Sequence, residues 1–254
     1  EAEGTIHDFM IKRIFGDAGI QVIIEEFLEG FEASIIGVSN GDKIFPFVPA
    51  KDYKKVGNGD KGPNTGGMGS AAPSPEFKDE HFQDFVNNIM NPTVQGLKTE
   101  GLSFKGFIFF GLMVTEKGAY LLEYNMRLGD PETQVLLPLL ENNLVDVIED
   151  CLQGKELELK FKNQKAVCLV VCSGGYPQNY ETGYEIKGAE KVKNSTLLYA
   201  GADYRGGKVV STGGRVLNLV ALGDTFEEAR KKVYEDANIV DFDYGFFRDD
   251  IAKF

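Results

Sequence analysis

Two long strand-like segments joined by a short turn constrain the fold of this chain more than any other feature. Residues 106–115 and 119–127 are rich in apolar and aromatic side chains, and Glu116-Lys117-Gly118 separates them. So short a connection pairs two strands as an antiparallel hairpin. Apolar residues at helical spacing precede this pair over residues 76–99. The sequence therefore predicts an α+β fold with a mostly antiparallel sheet flanked by helices.

Earlier in the chain, the apolar pattern predicts a helix through Phe15 and then three strands. The strands are predicted at residues 21–28, 33–38 and 43–48, and Asn40-Gly41 between the last two favours a hairpin turn. Glycines and prolines fill residues 57–75, which are predicted to form a loop.

Asp130-Pro131-Glu132 is typical of a helix start, with Asp130 as the N-cap and Pro131 in the first helical position. Apolar residues at helical spacing continue from there to Leu152. Beyond Gly154, short strands are predicted at residues 166–172, 197–200 and 215–222. A final helix follows, with Thr225 as its cap and Glu228 completing a capping box.

The charge is distributed unevenly along the chain. The whole chain has a net charge of −12, residues 161–254 sum to zero, and residues 1–160 therefore hold the excess acid. This step predicts a domain boundary near residue 160. An acidic surface repels phosphodiester backbones, so we expect no nucleic-acid partner.

Composition excludes further classes of protein. No run of 18 apolar residues is present, so we expect no membrane span. Three cysteines without a CxxC pair are typical of buried thiols in a reducing compartment, and we expect a cytoplasmic protein. Two histidines, His7 and His81, are too few for a histidine zinc site.

The tripeptide Glu123-Tyr124-Asn125 lies within the second strand of the predicted hairpin. Alternate side chains share a face of a strand, so Glu123, Asn125 and Arg127 should project together. A carboxylate and a carboxamide are suitable ligands for magnesium, and a guanidinium binds phosphate or carboxylate. The alternative is three solvated residues on a sheet face. The helix start at Asp130 favours the functional interpretation, because helix N-termini attract anions.

The glycine-rich segment around Gly67-Met68-Gly69 matches a relaxed dinucleotide fingerprint, but no strand precedes it and prolines follow it. A Rossmann site is therefore rejected. Two interpretations remain: a backbone that approaches a ligand closely, with Asn64 and Thr65 as polar contacts, or a mobile surface loop. Similarly, Lys51-Asp52-Tyr53-Lys54-Lys55 is either a substrate clamp or a charged loop.

Four segments together resemble the phosphoribosylamine–glycine ligase family of the ATP-grasp superfamily. They are VIIEEFLEGFE at 22–32, KDYK at 51–54, GPNTGGMG at 62–69 and EYNMRLGDPETQ at 123–134, with GGYP at 174–177 and TGGRV at 212–216 in support. The resemblance implies an ATP-grasp core at residues 21–160 after a lid-subdomain remnant at 1–20. It also implies a C-terminal domain with a rudimentary hybrid motif at 161–254.

The resemblance also implies roles for individual residues. Glu123 and Asn125 would bind Mg²⁺ (or Mn²⁺), and Arg127 would be catalytic. The implied ATP-binding residues are Glu25, Glu26, Phe27, Leu28 and Glu32. The implied substrate-binding residues are Asp52, Lys54, Asn64, Thr65, Gly66, Gly67, Met68, Gly69, Gly129, Asp130 and Pro131.

The function implied by the resemblance is ATP-dependent ligation of glycine to 5-phosphoribosylamine through glycyl phosphate. The family also has an N-terminal domain and a glycine-rich lid that these residues do not match, so we expect the isolated chain to be inactive. The alternatives are another ATP-grasp carboxylate–amine ligase and a non-catalytic fragment that binds a nucleotide or a partner. Expected partners are the small substrates alone, in a monomer or a homodimer.

Overall fold

The computed structural model describes residues 2–254. The helices are α1 (Ala2–Ile6), α2 (Asp79–Phe85), α3 (Asn91–Thr99), α4 (Glu132–Leu136), α5 (Leu144–Leu152) and α6 (Phe226–Ala237). One π-helical turn, His7–Ile11, continues α1, and another, Val86–Met90, joins α2 to α3. The strands are β1 (Phe31–Asn40), β2 (Ile44–Pro46), β3 (Lys51–Asp52), β4 (Lys55–Gly57), β5 (Lys61–Asn64), β6 (Gly69–Ala72), β7 (Lys105–Thr115), β8 (Gly118–Asn125), β9 (Lys165–Cys172), β10 (Thr196–Tyr199), β11 (Ala202–Arg205), β12 (Lys208–Ser211) and β13 (Arg215–Gly223).

The first sheet has the strand order β2-β1-β7-β8, and every neighbouring pair is antiparallel. The predicted hairpin of β7 and β8 is confirmed, with Thr115 opposite Gly118. The continuous α2–α3 region covers one face, where Phe85 packs edge-on against Phe110. The prediction of a helix over residues 76–99 is thus confirmed, with its start shifted to Asp79.

The second sheet has the order β10-β13-β9-β6-β3 and is also antiparallel. It combines β3 and β6 with three strands from beyond residue 160, so the predicted division near that residue crosses a sheet. The division remains a prediction. A β-bridge between Ser34 on β1 and Ala50 beside β3 joins the two sheets. The ends of β3, β6 and β8 border the candidate site.

The predicted strand at residues 21–28 is wrong. The segment has no regular secondary structure, and no strand among residues 2–254 pairs with it. Its apolar side chains are exposed: Ile23 is 88%, Ile24 80% and Phe27 86% accessible. An apolar, β-branched run favours a strand, but its backbone groups need a neighbouring strand to pair with.

The predicted loop at residues 57–75 is only partly correct, because it contains β5 and β6. Glycine and proline do mark its turns. However, β6 pairs with β9 from Gly69 opposite Leu169 to Ala72 opposite Ala166. A pairing across so many residues leaves no local pattern in the sequence.

The predicted helix start at Asp130 needs correction. The N-cap of α4 is Pro131, with no side-chain cap, and α4 ends after five residues. The Asp130 carboxylate forms an ion pair with Arg215 of β13 and does not cap the helix. A second helix, α5, begins after Asn143, whose side chain accepts a hydrogen bond from Val145 N. The argument from an anion-binding helix N-terminus therefore fails, because α4 is too short.

The C-terminal elements agree with the sequence. Strands β9, β10 and β13 coincide with the predicted ones within two residues, and the predicted cap of α6 is confirmed. Thr225 Oγ1 accepts from Glu228 N at 3.1 Å, but the predicted capping box is incomplete, because Glu228 Oε2 accepts from Asp224 N at 2.9 Å and not from Thr225 N. No helix within residues 2–254 is long and apolar enough to cross a membrane.

Candidate active site

Glu123, Asn125 and Arg127 lie together on one face at the end of β8, as their spacing predicts. Asn125 Nδ2 donates to Glu123 Oε1 at 3.1 Å, and Arg127 Nη2 donates to Asn125 Oδ1 at 3.4 Å. The strand itself ends at Asn125, so Arg127 follows it in a bend. Glu123 and Arg127 are exposed and Asn125 is half-buried, so the three side chains are accessible to solvent or to a ligand.

A β-bulge in β8 determines which face these residues occupy. Leu121 is opposite Leu112 and Glu123 is opposite Gly111, so Leu122 is one residue in excess. Leu121 and Tyr124 both face the helical side, where Tyr124 Oη lies 2.6 Å from Thr93 Oγ1. The extra residue reverses the alternation and turns Glu123 and Asn125 to the other face of the sheet.

The donor set at the end of β8 fits a magnesium or manganese ion. Residues 2–254 contain no cluster of three or more acidic, histidine or cysteine side chains that could hold a metal. Magnesium, however, usually takes only one or two protein carboxylates and completes its shell with phosphate oxygens and water. A single carboxylate beside a carboxamide, both accessible, suits an ion that arrives with a polyphosphate.

A charged group from β1 and β3 lies close to this face. Lys54 Nζ forms an ion pair with Glu32 Oε2 at 2.5 Å. It also interacts electrostatically with the carboxylates of Asp52 and Glu123. Burial lowers the pKa of Lys54, but the hydrogen bond to Glu32 and the charges of Glu32, Asp52 and Glu123 together outweigh burial and raise the pKa overall. Lys54 therefore remains a cation between these carboxylates.

Asp52 and Glu132 form a pair of interacting acids beside Lys54. Burial raises the pKa of Asp52 well above its usual value, and the charge of Glu132 raises it further. Asp52 Oδ1 is buried without a hydrogen-bond partner among residues 2–254. Glu132 is 3% exposed and accepts from Ser34 Oγ at 2.8 Å, but burial still raises its pKa. Sequence reasoning missed Glu132, although it stands within the 123–134 motif.

The loop at residues 64–69 borders Asp52. Thr65 N and Thr65 Oγ1 both donate to Lys54 O, at 2.7 and 2.8 Å, and Gly67 N donates to Thr65 Oγ1 at 3.0 Å. Asn64 ends β5 with an exposed side chain. The side chain of Met68 lies in the core, so only its backbone faces the loop. These hydrogen bonds close a turn at residues 65–67 beside Lys54.

The segment after β8 borders Asp52 and the 64–69 loop on their other side. Gly129 and Pro131 are buried, and Pro131 O accepts from Ser70 Oγ at 2.6 Å. Asp130 is half exposed and forms an ion pair with Arg215, whose Nη2 lies 3.0 Å from Asp130 Oδ2. Sequence reasoning gave Arg215 no role. Its only signal was its place at the end of the 212–216 motif.

The predicted ATP-binding residues are divided between two places. Glu26, Phe27 and Leu28 line an open pocket of about 770 Å³ together with Phe31 and the turn between β7 and β8. Glu25 is exposed in the same unpaired segment. Glu32 is in the group around Lys54. The structure brings together the predicted metal and substrate residues, while Glu26, Phe27 and Leu28 line a different surface pocket.

The arrangement of two sheets is similar to that in the crystal structure of the biotin carboxylase subunit of pyruvate carboxylase. The TM-score is 0.58 at 13% identity, over 86% of this chain and 47% of that one. At that identity the likeness shows a shared fold alone.

Comparison with protein-family models identifies both the fold and the family. Residues 1–133 match the family model described as the phosphoribosylglycinamide synthetase ATP-grasp (A) domain, and residues 166–254 match the C domain of the same family. The chain belongs to the phosphoribosylglycinamide synthetase family.

A relative named phosphoribosylamine–glycine ligase, from Caldanaerobacter subterraneus subsp. tengcongensis, is 44% identical over 99% of this chain. The crystal structure of phosphoribosylamine–glycine ligase from Thermotoga maritima matches with a TM-score of 0.85 and 36% identity, over 98% of this chain and 63% of that one. The chain spans about 61% of the length of the first of these relatives.

Proposed function

We propose that this chain forms the catalytic core of an ATP-dependent ligase that joins glycine to 5-phosphoribosylamine. In the first step, a glycine carboxylate oxygen takes the γ-phosphoryl group of ATP and releases ADP. In the second, the amine nitrogen bonds to the carbonyl carbon of glycyl phosphate, the carbon–oxygen bond to phosphate breaks, and the nitrogen loses a proton. The products are glycinamide ribonucleotide, ADP and phosphate.

One observation carries the proposal: in a chain of this family, Glu123, Asn125 and Arg127 meet on one face, beside the charged group around Lys54. Chemistry of this kind depends mainly on positioning and on neutralising charge. Glu123 and Asn125 would hold a magnesium or manganese ion, which supplies positive charge to the phosphate oxygens. Arg127 would offset charge on the transferred group, and no protein nucleophile is required.

The other assignments belong to the same proposal. Asp52, Lys54, the loop at residues 64–69 and Gly129-Asp130-Pro131 would bind glycine and 5-phosphoribosylamine. Their convergence around Asp52 supports this. Glu25, Glu26, Phe27, Leu28 and Glu32 would bind ATP, and the pocket lined by Glu26, Phe27 and Leu28 supports the adenine contacts. Turnover is assigned to a protein of the relatives' full length, and we expect none from these 254 residues alone.

The proposal is tested by replacing Glu123 with Gln in a protein of that full length. Glu123→Gln removes the charge but keeps the size. The metal ion would then be held less tightly, and its positive charge would no longer offset the negative charge on the transferred phosphoryl group. Product formation should therefore fall by at least about 100-fold. The matched control is Glu235→Gln, which breaks only a surface pair with Lys231 at 3.7 Å.

Glycinamide ribonucleotide and ADP would be quantified together, with thermal unfolding as the check on folding. Near-normal turnover of Glu123→Gln would refute the metal-ligand role. No product from the unsubstituted protein, with glycine, 5-phosphoribosylamine and magnesium ATP all present, would refute the proposed function.

A further inference from the structure

Both backbone polar groups of Gly66, in the middle of the 64–69 loop, are bound by side chains from far along the chain. Gly66 N donates to Tyr176 Oη at 2.9 Å, and Arg215 Nη1 donates to Gly66 O at 2.7 Å. Tyr176 lies in the turn after β9, and Arg215 begins β13. A loop peptide is thus fixed from two directions by elements of the second sheet.

The two side chains pack closely around this peptide. A Cβ at Gly66 would lie 3.2 Å from both Tyr176 Oη and Arg215 Cζ. A Cβ at Gly214 would lie 2.2 Å from Tyr176 Cδ2, so the tyrosine ring rests directly on the backbone before Arg215. Tyr176 therefore packs against the start of the strand that carries Arg215 as well as binding the loop.

Arg215 also fixes the segment on the opposite side of the site. Its Nη1 donates to Asp130 O at 3.0 Å and to Asp130 Oδ1 at 3.2 Å, and its Nη2 donates to Asp130 Oδ2 at 3.0 Å. This is the two-pronged pairing that a guanidinium makes and an ammonium cannot. A register shift between Arg215 and Leu217 on β13 turns the side chain toward the loop.

We infer that Tyr176 and Arg215 are positioning residues that hold the 64–69 loop against Asp130 and thereby set the affinity for the two substrates other than ATP. The inference rests on the proposed function for the identity of those substrates. Neither residue hydrogen-bonds to Glu123, Asn125 or the 25–28 segment within the described part of the chain. Their loss should therefore leave ATP binding unchanged.

The loop is tested directly in the 254-residue chain by hydrogen exchange, which needs no activity. Tyr176→Phe keeps the ring on Gly214 but removes the acceptor of Gly66 N–H, and Arg215→Lys keeps the charge but removes the fork. Loss of one such hydrogen bond should speed exchange of peptides covering residues 64–69 by about 5-fold. The control is Arg205→Lys, whose arginine pairs only with Asp203 on the exposed β11–β12 hairpin. Unchanged exchange in both variants would overturn the inference.

The effect on substrates is tested by steady-state kinetics in a protein of the relatives' full length. For Arg215→Lys, the KM of glycine or of 5-phosphoribosylamine should rise by about 10-fold or more, since charge-assisted hydrogen bonds are among the stronger ones. The KM of ATP should stay within about 2-fold of the unsubstituted value, which is within ordinary scatter.

Equal changes in all three KM values, or none, would overturn the inference by showing a general or absent effect. A double-mutant cycle with Asp130→Asn adds a second criterion. If Arg215 acts through Asp130, the two losses are not additive, and simple additivity counts against it. Absence of product from the unsubstituted protein would instead defeat the proposed function, while the exchange experiment would still decide whether the loop is held.

Discussion

Among individual residues, Asp52 and Glu132 are the least favourably placed. Each carboxyl group is buried, each has a raised pKa, and the charge of Glu132 acts on Asp52. Within residues 2–254, Asp52 Oδ1 has no donor of the kind that a buried oxygen ordinarily has. Proteins keep such groups mainly at functional sites, where the cost in stability is offset elsewhere.

The raised pKa of Asp52 predicts a particular pH dependence of stability. Because native Asp52 holds its proton more tightly than Asp52 in the unfolded chain, the contribution of this residue to stability should fall as pH rises above about 4. Asp52→Asn removes this ionisation. Its melting temperature should therefore exceed that of the unsubstituted chain at pH 8 and match it at pH 4, with about 2–4 °C for each kcal/mol regained.

Thermal unfolding of the chain at pH 4, 6 and 8 measures this difference. Asp243→Asn, at an exposed position near the C-terminus, is the matched control. Parallel pH profiles for Asp52→Asn and the unsubstituted chain would show that the Asp52 pKa is not raised.

At the level of elements, sequence patterns succeed where the cause is local. The α2–α3 region, the β7–β8 hairpin and α6 were all predicted, with ends within three residues of those observed. Helical spacing, a short turn and a capping residue are each contained within a few neighbouring positions.

The capping of α6 predicts a measurable contribution to stability. Thr225→Ala removes the oxygen that accepts from Glu228 N and should lower the free energy of unfolding by about 1 kcal/mol. Thr225→Ser keeps that oxygen and should remain close to the unsubstituted chain. Urea denaturation at neutral pH measures both, and an equal loss in the two variants would assign the effect to the threonine methyl group.

Sequence patterns fail where the cause is a distant partner. The run at residues 21–28 has the composition of a strand, but no strand within residues 2–254 pairs with it. Strand β6 is short and has only small side chains, yet it pairs with β9. In the same way, spacing predicted that Glu123, Asn125 and Arg127 meet, but not the bulge that sets their face. Arg215 reaches Asp130 across 85 positions, which no local pattern reveals.

At the scale of the whole molecule, the second sheet and its core unite the two predicted domains. β6 pairs with β9, and one apolar cluster contains Ile36 and Val135 as well as Leu169 and Leu217. Arg248, 2% exposed, adds a polar link, because its Nη1 donates to Lys55 O and to Asp60 Oδ1, each at 2.8 Å. Cutting the chain near residue 160 would expose this cluster and leave β6 paired with β3 alone.

The shared sheet predicts that the chain unfolds as one unit. Calorimetry of residues 1–254 should show one cooperative transition, with calorimetric and van't Hoff enthalpies in agreement. Residues 1–160 and 161–254, prepared separately, should each lack a cooperative transition. Two transitions in the whole chain, or a cooperative one in either piece, would support independent domains.

The two hydrogen bonds that hold the Gly66 backbone, with Tyr176 and Arg215, affect how the molecule responds to deformation. Two anchors on one peptide, from the turn after β9 and from the start of β13, fix its orientation only while their spacing is kept. The loop leads into β6, and β6, β9 and β13 belong to one sheet, so the peptide and both anchors should move together when that sheet shifts as a whole. A change in the spacing of β9 and β13 within the sheet is the deformation that would turn the Gly66 carbonyl.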